Sequence, residues 1–134
     1  MNEQTRMNEE ELDWDDDVTI LNGTPYSGIG FLEYSDGSLK RKVTYRDGFE
    51  EGLCQEWYAD GSLKREWVAE RGRVKGELKE WHENGAVKCI GKYEFGVEIQ
   101  YDEWNKSGDL MVHRTLEEGT ALAEYLQQQR RAHQ

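Results

Sequence analysis

Residues 52–76, GLCQEWYADGSLKREWVAERGRVKG, hold the pattern from which most of this chain is built. A glycine opens the stretch, the turn Asp60-Gly61 divides it into two short runs, and another turn follows at Gly72. Asp-Gly is a strong signal for a tight turn, because glycine adopts a positive φ angle without steric cost. The stretch therefore has the size and punctuation of one β-hairpin.

The same pattern returns on both sides of this stretch. The turn glycines are separated by 24, 24 and 23 residues, and they are Gly37, Gly61, Gly85 and Gly108. Each is followed two positions later by an apolar residue, which is Leu39, Leu63, Val87 or Leu110. The closing glycines are again 24 residues apart, at Gly48, Gly72 and Gly96. A fixed period of this length indicates an array of stacked repeats.

Each repeat reads as two strands. The first strands are predicted at residues 28–34, 52–58, 76–82 and about 99–105, which are too short for helices and are mostly bounded by glycines. The second strands alternate in polarity, so that the repeated Leu or Val starts one face and Lys40, Lys64 and Lys88 lie on the other. We therefore predict a mainly β fold, an elongated antiparallel meander of about four 24-residue hairpin repeats over residues 18–114. The repeated apolar residues would form a ladder along it.

Composition and charge limit the classes of function. The 134 residues are only 36% hydrophobic, with a mean hydropathy of −0.98, which suits one thin domain better than a thick core. The net charge of −11 disfavours binding to nucleic acids or anionic lipids, whose phosphates would repel it, and favours a basic partner. Neither a membrane-span-length apolar run nor a signal peptide is recognisable, so we expect a cytoplasmic protein.

Residues 1–17 differ from the repeats, since Glu9 to Asp17 hold seven carboxylates around Leu12 and Trp14. Like charges this close oppose compact structure, so we predict a flexible acidic arm. Two interpretations are open. The arm is a solvated tail, or it is a negative segment that lies on a cationic groove of a partner through its apolar anchors. Its candidate binding residues are Asp13, Trp14, Asp15, Asp16 and Asp17.

Residues 115–134 are predicted to form a C-terminal helix. Thr115 and Glu118 fit a capping box, in which the threonine hydroxyl and the glutamate satisfy the first free N–H groups of a helix. Leu116, Leu122, Tyr125 and Leu126 would then share an approximate face. We expect this face to pack on the last hairpin as a cap, which an open array of repeats needs.

A column of tryptophans is the second candidate site. Trp57, Trp81 and Trp104 recur in the first strands, each preceded by a glutamate, at Glu56, Glu80 and Glu103. Tyr58 follows the first of them. The rings belong to the core if another element covers them, and form a binding surface if they face water. Both interpretations are open from the sequence.

The sequence favours a binding protein over an enzyme. His82, His113 and His133 are scattered, and the glycines punctuate turns instead of cradling a phosphate. Acidic pairs such as Glu50-Glu51 are expected to be solvated surface. Cys54 and Cys89 have no CxxC spacing or nearby His and are expected to be small buried hydrophobes. We predict no cofactor and no metal.

The repeated segments EYSDGSLKRKVTYRDG, EWYADGSLKREWVAERG and EWHENGAVKCIGKYEFG resemble MORN-variant repeats, in particular those of the YwqK-type antitoxin and immunity family. The resemblance covers roughly residues 21–114. It departs in the fourth repeat, which is one residue shorter and lacks a glycine equivalent to Gly76. The family implies a cytoplasmic protein that neutralises a cognate polymorphic toxin.

Our leading hypothesis is an immunity protein that binds a basic toxin stoichiometrically and occludes it, as the monomer of a toxin–immunity heterodimer. One alternative is a MORN-type scaffold or lipid-associated module, and another is a small enzyme inhibitor unrelated to toxins, which would have the same surface chemistry. One candidate surface combines Trp57, Trp81, Trp104 and Tyr58 with Glu56 and Glu80, and the other is the acidic arm. The sequence leaves open which of these surfaces, or the C-terminal helix, makes the main contact.

Overall fold

The computed structural model describes residues 5–133, which form a long sheet, a small sheet and a terminal helix. The elements before the repeats are β1 (Arg6–Asn8), a 3-10 helix (Glu9–Glu11), β2 (Asp13–Asp15), β3 (Val18–Leu21) and β4 (Thr24–Pro25). The repeat strands are β5 (Gly28–Glu33), β6 (Leu39–Arg46), β7 (Phe49–Trp57), β8 (Leu63–Glu70), β9 (Arg73–Trp81), β10 (Val87–Glu94), β11 (Val97–Trp104) and β12 (Leu110–Thr115). The helix is α1 (Ala121–Ala132).

The predicted meander is confirmed. Strands β5 to β12 are antiparallel neighbours in chain order, and β1 adds a ninth strand in parallel to β5. Strands β7 and β9 begin three residues earlier than predicted, so Gly52 and Gly76 lie inside them. Both glycines have positive φ angles and coincide with register shifts, so they mark β-bulges instead of strand ends.

The tight turns between paired strands follow the Asp-Gly signal. In the first of them, the N–H of Gly37 donates to the carbonyl of Tyr34, and the Asp36 carboxylate accepts from the N–H and hydroxyl of Ser38. Asp60 and Ser62 repeat this arrangement. The aspartate side chain thus provides a hydrogen-bond acceptor for a backbone N–H of the turn.

Successive repeats are joined by a ladder of hydrogen bonds that the sequence analysis did not foresee. The residue before each turn reaches the backbone carbonyl of the tryptophan in the next repeat. Tyr34 donates to Trp57 at 2.7 Å, Tyr58 donates to Trp81 at 2.5 Å, and His82 Nε2 lies 2.8 Å from the Trp104 carbonyl oxygen. A side-chain hydrogen bond therefore joins successive repeats in addition to the backbone pairing of their strands.

The core lies on one face of the long sheet, which we call the inner face. Its central row crosses four neighbouring strands through Val43, Cys54, Trp67 and Leu78, all buried. The predicted apolar ladder does not form this core: Leu39, Leu63 and Val87 are half-buried and Leu110 is exposed. The buried positions on β6 and β8 come four and six residues after the repeated leucines. Cys54 and Cys89 are buried free thiols, as expected.

The described part of the acidic arm is folded, which corrects the prediction of a flexible segment. Residues 6–8 pair with β5, and Leu12 is buried against the core. Asp13–Asp15 form the edge of a second, three-stranded sheet, β2-β3-β4. Residues 18–25 therefore belong to this small sheet, and the repeat sheet starts at Gly28. Residues 1–4 lie outside the described part of the chain.

The C-terminal helix begins later than predicted. Thr115 ends β12, paired with Gln100, and Gly119 takes a positive φ angle. The N-cap is Thr120, whose hydroxyl accepts from the N–H of Ala123. Leu126 is the buried residue of the helix. Within residues 5–133, no helix has the length and apolarity of a membrane span.

The helix does not cover the last strand with the predicted face. Leu116 precedes it, and Leu122 is exposed. Its polar contacts are with the ends of two earlier strands. Arg130 pairs with Glu94 at the end of β10, and Arg73 Nη1, at the start of β9, donates to the Tyr125 hydroxyl at 3.3 Å. Strand β12, which has six residues, lies at the edge of the long sheet.

Candidate protein-binding groove

A large concavity lies between the N-terminal segment and the inner face, and we call it the acidic groove. It has a volume of about 850 Å³. The N-terminal segment contributes Glu10, Trp14 and Asp17, and the sheet contributes Leu32, Arg41, Phe49 and Glu50. Arg71 and Arg73 line it as well. The groove combines four carboxylates and three guanidinium groups, a formal charge of −1, with apolar side chains, a composition that suits a protein partner.

Arg41 is the electrostatic centre of the groove. Its guanidinium contacts three carboxylates: Glu9 at 3.0 Å, Glu50 at 3.0 Å and Glu56 at 2.6 Å. Burial by itself would lower the pKa of Arg41, but the surrounding carboxylates raise it above its ordinary value. Three negative charges around one positive charge leave the cluster with a net charge of −2 when all are ionised. The cluster therefore attracts cations.

Glu9 is bound in a niche that only a glycine allows. Its second carboxylate oxygen accepts a 2.5 Å hydrogen bond from the Tyr45 hydroxyl, and its residue is 9% exposed. A Cβ atom on Gly30 would lie 2.7 Å from the Tyr45 ring and 3.0 Å from Glu9 Cγ. Burial, followed by the bond to Glu9, raises the pKa of Tyr45. The tyrosine thus stays protonated and donates.

The ring of Trp67 also interacts with the Arg41 cluster. Its buried ring has the Arg41 guanidinium carbon 5.7 Å from its centroid and that of Arg65 at 4.8 Å. Both distances allow cation–π attraction. Because the ring is fixed in the core, it limits the positions that the Arg41 side chain can adopt.

The predicted residues of the arm lie at the rim of the groove. Trp14 and Asp17 line it, and Trp14 is 67% exposed, the largest exposed fraction among the bulky apolar residues of the described chain. Asp13, Asp15 and Asp16 are exposed beside them. An indole this open, among carboxylates, has the character of an interface anchor.

The tryptophan column lies elsewhere. Trp57, Trp81 and Trp104 are half-buried, and none of the three lines the groove. Their carbonyls serve the ladder between repeats, and Tyr58 combines its ladder bond with Lys64, whose ammonium is 5.6 Å from the ring centroid. Of the predicted glutamates, Glu56 joins the Arg41 cluster, whereas Glu80 accepts from the Cys89 thiol at 3.0 Å. Of the predicted tryptophan surface, Glu56 thus contacts the Arg41 cluster beside the groove.

Several residues of the acidic groove were not predicted from the sequence. Glu50 is not plain solvated surface as predicted, since it pairs with Arg41. A signal was present in Arg41 itself, because it interrupts the apolar alternation between Leu39 and Val43. A charged residue at an inward position needs a charged partner. Among the described residues, no three His, Cys, Asp or Glu side chains form a group suited to a metal ion.

Comparison with known proteins supports the repeat architecture. The sequence profile of the MORN repeat variant matches residues 50–68 and 75–94, which span most of the hairpins β7–β8 and β9–β10. A search of curated proteins gave no match. One similar solved structure is the crystal structure of accessory secretory protein 1, 2 and 3 in Streptococcus pneumoniae, with 17% identity, a TM-score of 0.38 and 89% of this chain covered. The present chain spans 21% of that protein. The resemblance seen in the sequence is thus confirmed at one level: two adjacent hairpins of this meander match the MORN repeat variant.

Proposed function

We propose that this repeat scaffold is an immunity protein, or antitoxin, that neutralises a basic protein toxin by covering its functional surface. The observation that carries the proposal is the acidic groove, where exposed Trp14 stands beside the carboxylates of Glu10 and Asp17 and the net negative Arg41 cluster. MORN repeats supply the scaffold. The toxin-directed role follows from the resemblance to YwqK-type proteins together with this charge.

In the proposed complex, net charge and apolar contact contribute to different steps of binding. The net charge of −11 attracts a basic partner and speeds association, an effect that salt screens. Trp14 supplies an apolar anchor that slows dissociation once water is excluded around it. Phe49 and Leu32 provide apolar walls for the groove. A basic loop of the partner with one apolar residue fits this arrangement.

The remaining parts of the proposal concern setting and stoichiometry. The protein acts in the cytoplasm as a monomer that forms a one-to-one heterodimer with the toxin. It binds neither nucleic acid nor membrane, because phosphate groups would meet the same carboxylates that attract the toxin. It inhibits by occlusion and not by catalysis, so protection requires at least one copy per toxin molecule.

The test uses the C-terminal domain of the protein encoded immediately upstream, expressed with and without this chain. We expect that domain to arrest growth alone, growth to recover with this chain, and calorimetry to give a one-to-one complex. Trp14→Ala should weaken the complex by about 2 kcal/mol, roughly thirtyfold in Kd. Leu53→Ala is the matched control, since Leu53 is 50% exposed and lies outside the groove.

Two outcomes would contradict the proposal. If the upstream domain neither arrests growth nor binds, the immunity role is wrong. If Leu53→Ala weakens the complex and Trp14→Ala does not, the groove is the wrong surface. Sedimentation with anionic vesicles tests the lipid-associated alternative, for which salt-sensitive pelleting is expected.

A further inference from the structure

We infer that Glu9 is the positioning residue of the binding surface, which it holds by fixing the acidic edge strand β2 at the rim of the groove. The inference rests on the proposed function, since it assigns a role within the same site. It concerns a residue that sequence patterns place among seven interchangeable carboxylates. Glu9 differs from its neighbours in being buried.

The niche around Glu9 is built for one carboxylate. Tyr45 donates to one of its oxygens and Arg41 Nε to the other, at 2.5 and 3.0 Å. Gly30 leaves the space that the side chain needs. Gly30 has an ordinary φ angle, since it is not among the glycines with positive φ, so space and not backbone conformation requires glycine there. We call this arrangement the Glu9 latch.

The latch acts on Trp14 through five residues of chain. Glu9 begins the 3-10 helix, and its carbonyl accepts from the N–H of Leu12 at 3.1 Å. Leu12, 3% exposed, packs into the core and directs the chain into β2. Strand β3 has its own anchor, because the N–H of Thr19 donates to the Gly48 carbonyl at 2.8 Å. Strand β2 itself has three residue pairs with β3, and the chain before it is anchored by Leu12 and by the latch.

Because the position of β2 depends on the residues before it, the latch affects binding. Seven carboxylates close together repel one another, so without the latch the segment, still held by Leu12 and by its strand pairs, would sample more conformations. Ordering it on the partner would then cost free energy at the moment of binding. With the latch closed, Trp14 and Asp17 are already in place, and binding needs no such ordering.

Two variants and one control separate positioning from charge. Glu9→Gln removes the charge of the latch, and Gly30→Ala fills the niche while it keeps every charge. Glu10→Gln is the matched control, since it removes one carboxylate from the same groove without touching the latch. The probe is a fluorescein-labelled peptide of nine lysines, with binding followed by anisotropy, and hydrogen exchange is measured on the free proteins.

We expect exchange at residues 6–15 to accelerate about tenfold in Glu9→Gln and Gly30→Ala, with residues 18–21 unchanged. Nonalysine affinity should fall more in both than in Glu10→Gln. Equal affinities for Glu9→Gln and Glu10→Gln, or wild-type exchange at residues 6–15, would overturn the positioning role alone. Failure of the wild-type protein to bind nonalysine would overturn the groove as a site for basic partners, and the inference with it.

Discussion

Replacing Arg41 by methionine tests the electrostatic centre of this protein most directly. Methionine keeps an apolar stem of similar length against Trp67, so little cavity is created. The change leaves Glu9, Glu50 and Glu56 close together without their shared cation. Removing one partner of a buried ion pair costs about 3–5 kcal/mol. Because the Arg41 side chain is 22% exposed, we expect the lower end, about 3 kcal/mol at pH 7.

The assay is urea unfolding at pH 7 followed by tryptophan fluorescence. Arg130→Met is the control, since that arginine pairs with Glu94 at the surface, where solvent screens the pair, and its loss should cost much less. A penalty for Arg41→Met that equals that of the control would refute the reasoning.

Three further predictions concern the ladder, the thiols and the helix cap. Tyr58→Phe removes the hydrogen bond to the Trp81 carbonyl and should lower the free energy of unfolding by about 1 kcal/mol, measured in urea. Burial raises the pKa of the Cys54 and Cys89 thiols from 9.0 to about 12, so the folded state retains their protons. Their contribution to stability should be complete below pH 9 and decline between pH 9 and 12, seen as a falling melting temperature that Cys54→Ala makes shallower. Thr120→Ala removes the N-cap of α1 and should cost about 1 kcal/mol, measured as lost helical circular dichroism on heating.

The meander could be predicted because its signal is local and repeated. Each Asp-Gly or Asn-Gly turn specifies a hairpin by itself, and the period of 24 residues links the hairpins in order. Small errors arose where a glycine has a second use. Gly52 and Gly76 form bulges inside strands, and sequence punctuation alone does not distinguish a bulge from a strand end.

The folded N-terminal segment could not be predicted from its own composition. Its carboxylates repel one another locally, which favours disorder, but Glu9 meets Arg41 across 32 residues of chain. Such a long-range pair leaves no mark on the spacing of the segment. The arginine within an apolar series gave a weak signal that a carboxylate was needed, without saying which one.

The helix start was wrong because two threonines competed for the cap. Thr115 has the capping-box partner Glu118, but it is used by β12, where it pairs with Gln100. The positive φ angle at Gly119 then turns the chain, and Thr120 takes the cap. Strand pairing therefore overrode a local preference of about 1 kcal/mol.

The repeats are equivalent in sequence but not in environment, and this difference places the proposed site. One row of the inner face alternates in charge across the sheet, through Arg41, Glu56, Arg65 and Glu80. In this row Arg65 lies between Glu56 and Glu80 of the neighbouring strands, whereas Arg41 lies between Glu56 and the apolar Leu32. Arg41 also meets Glu50 of β7 and, from outside the repeats, Glu9, and these two carboxylates give its cluster an excess of negative charge. The proposed recognition of a basic partner thus depends on the non-repeated segment, while the repeats provide the surface on which that segment is held.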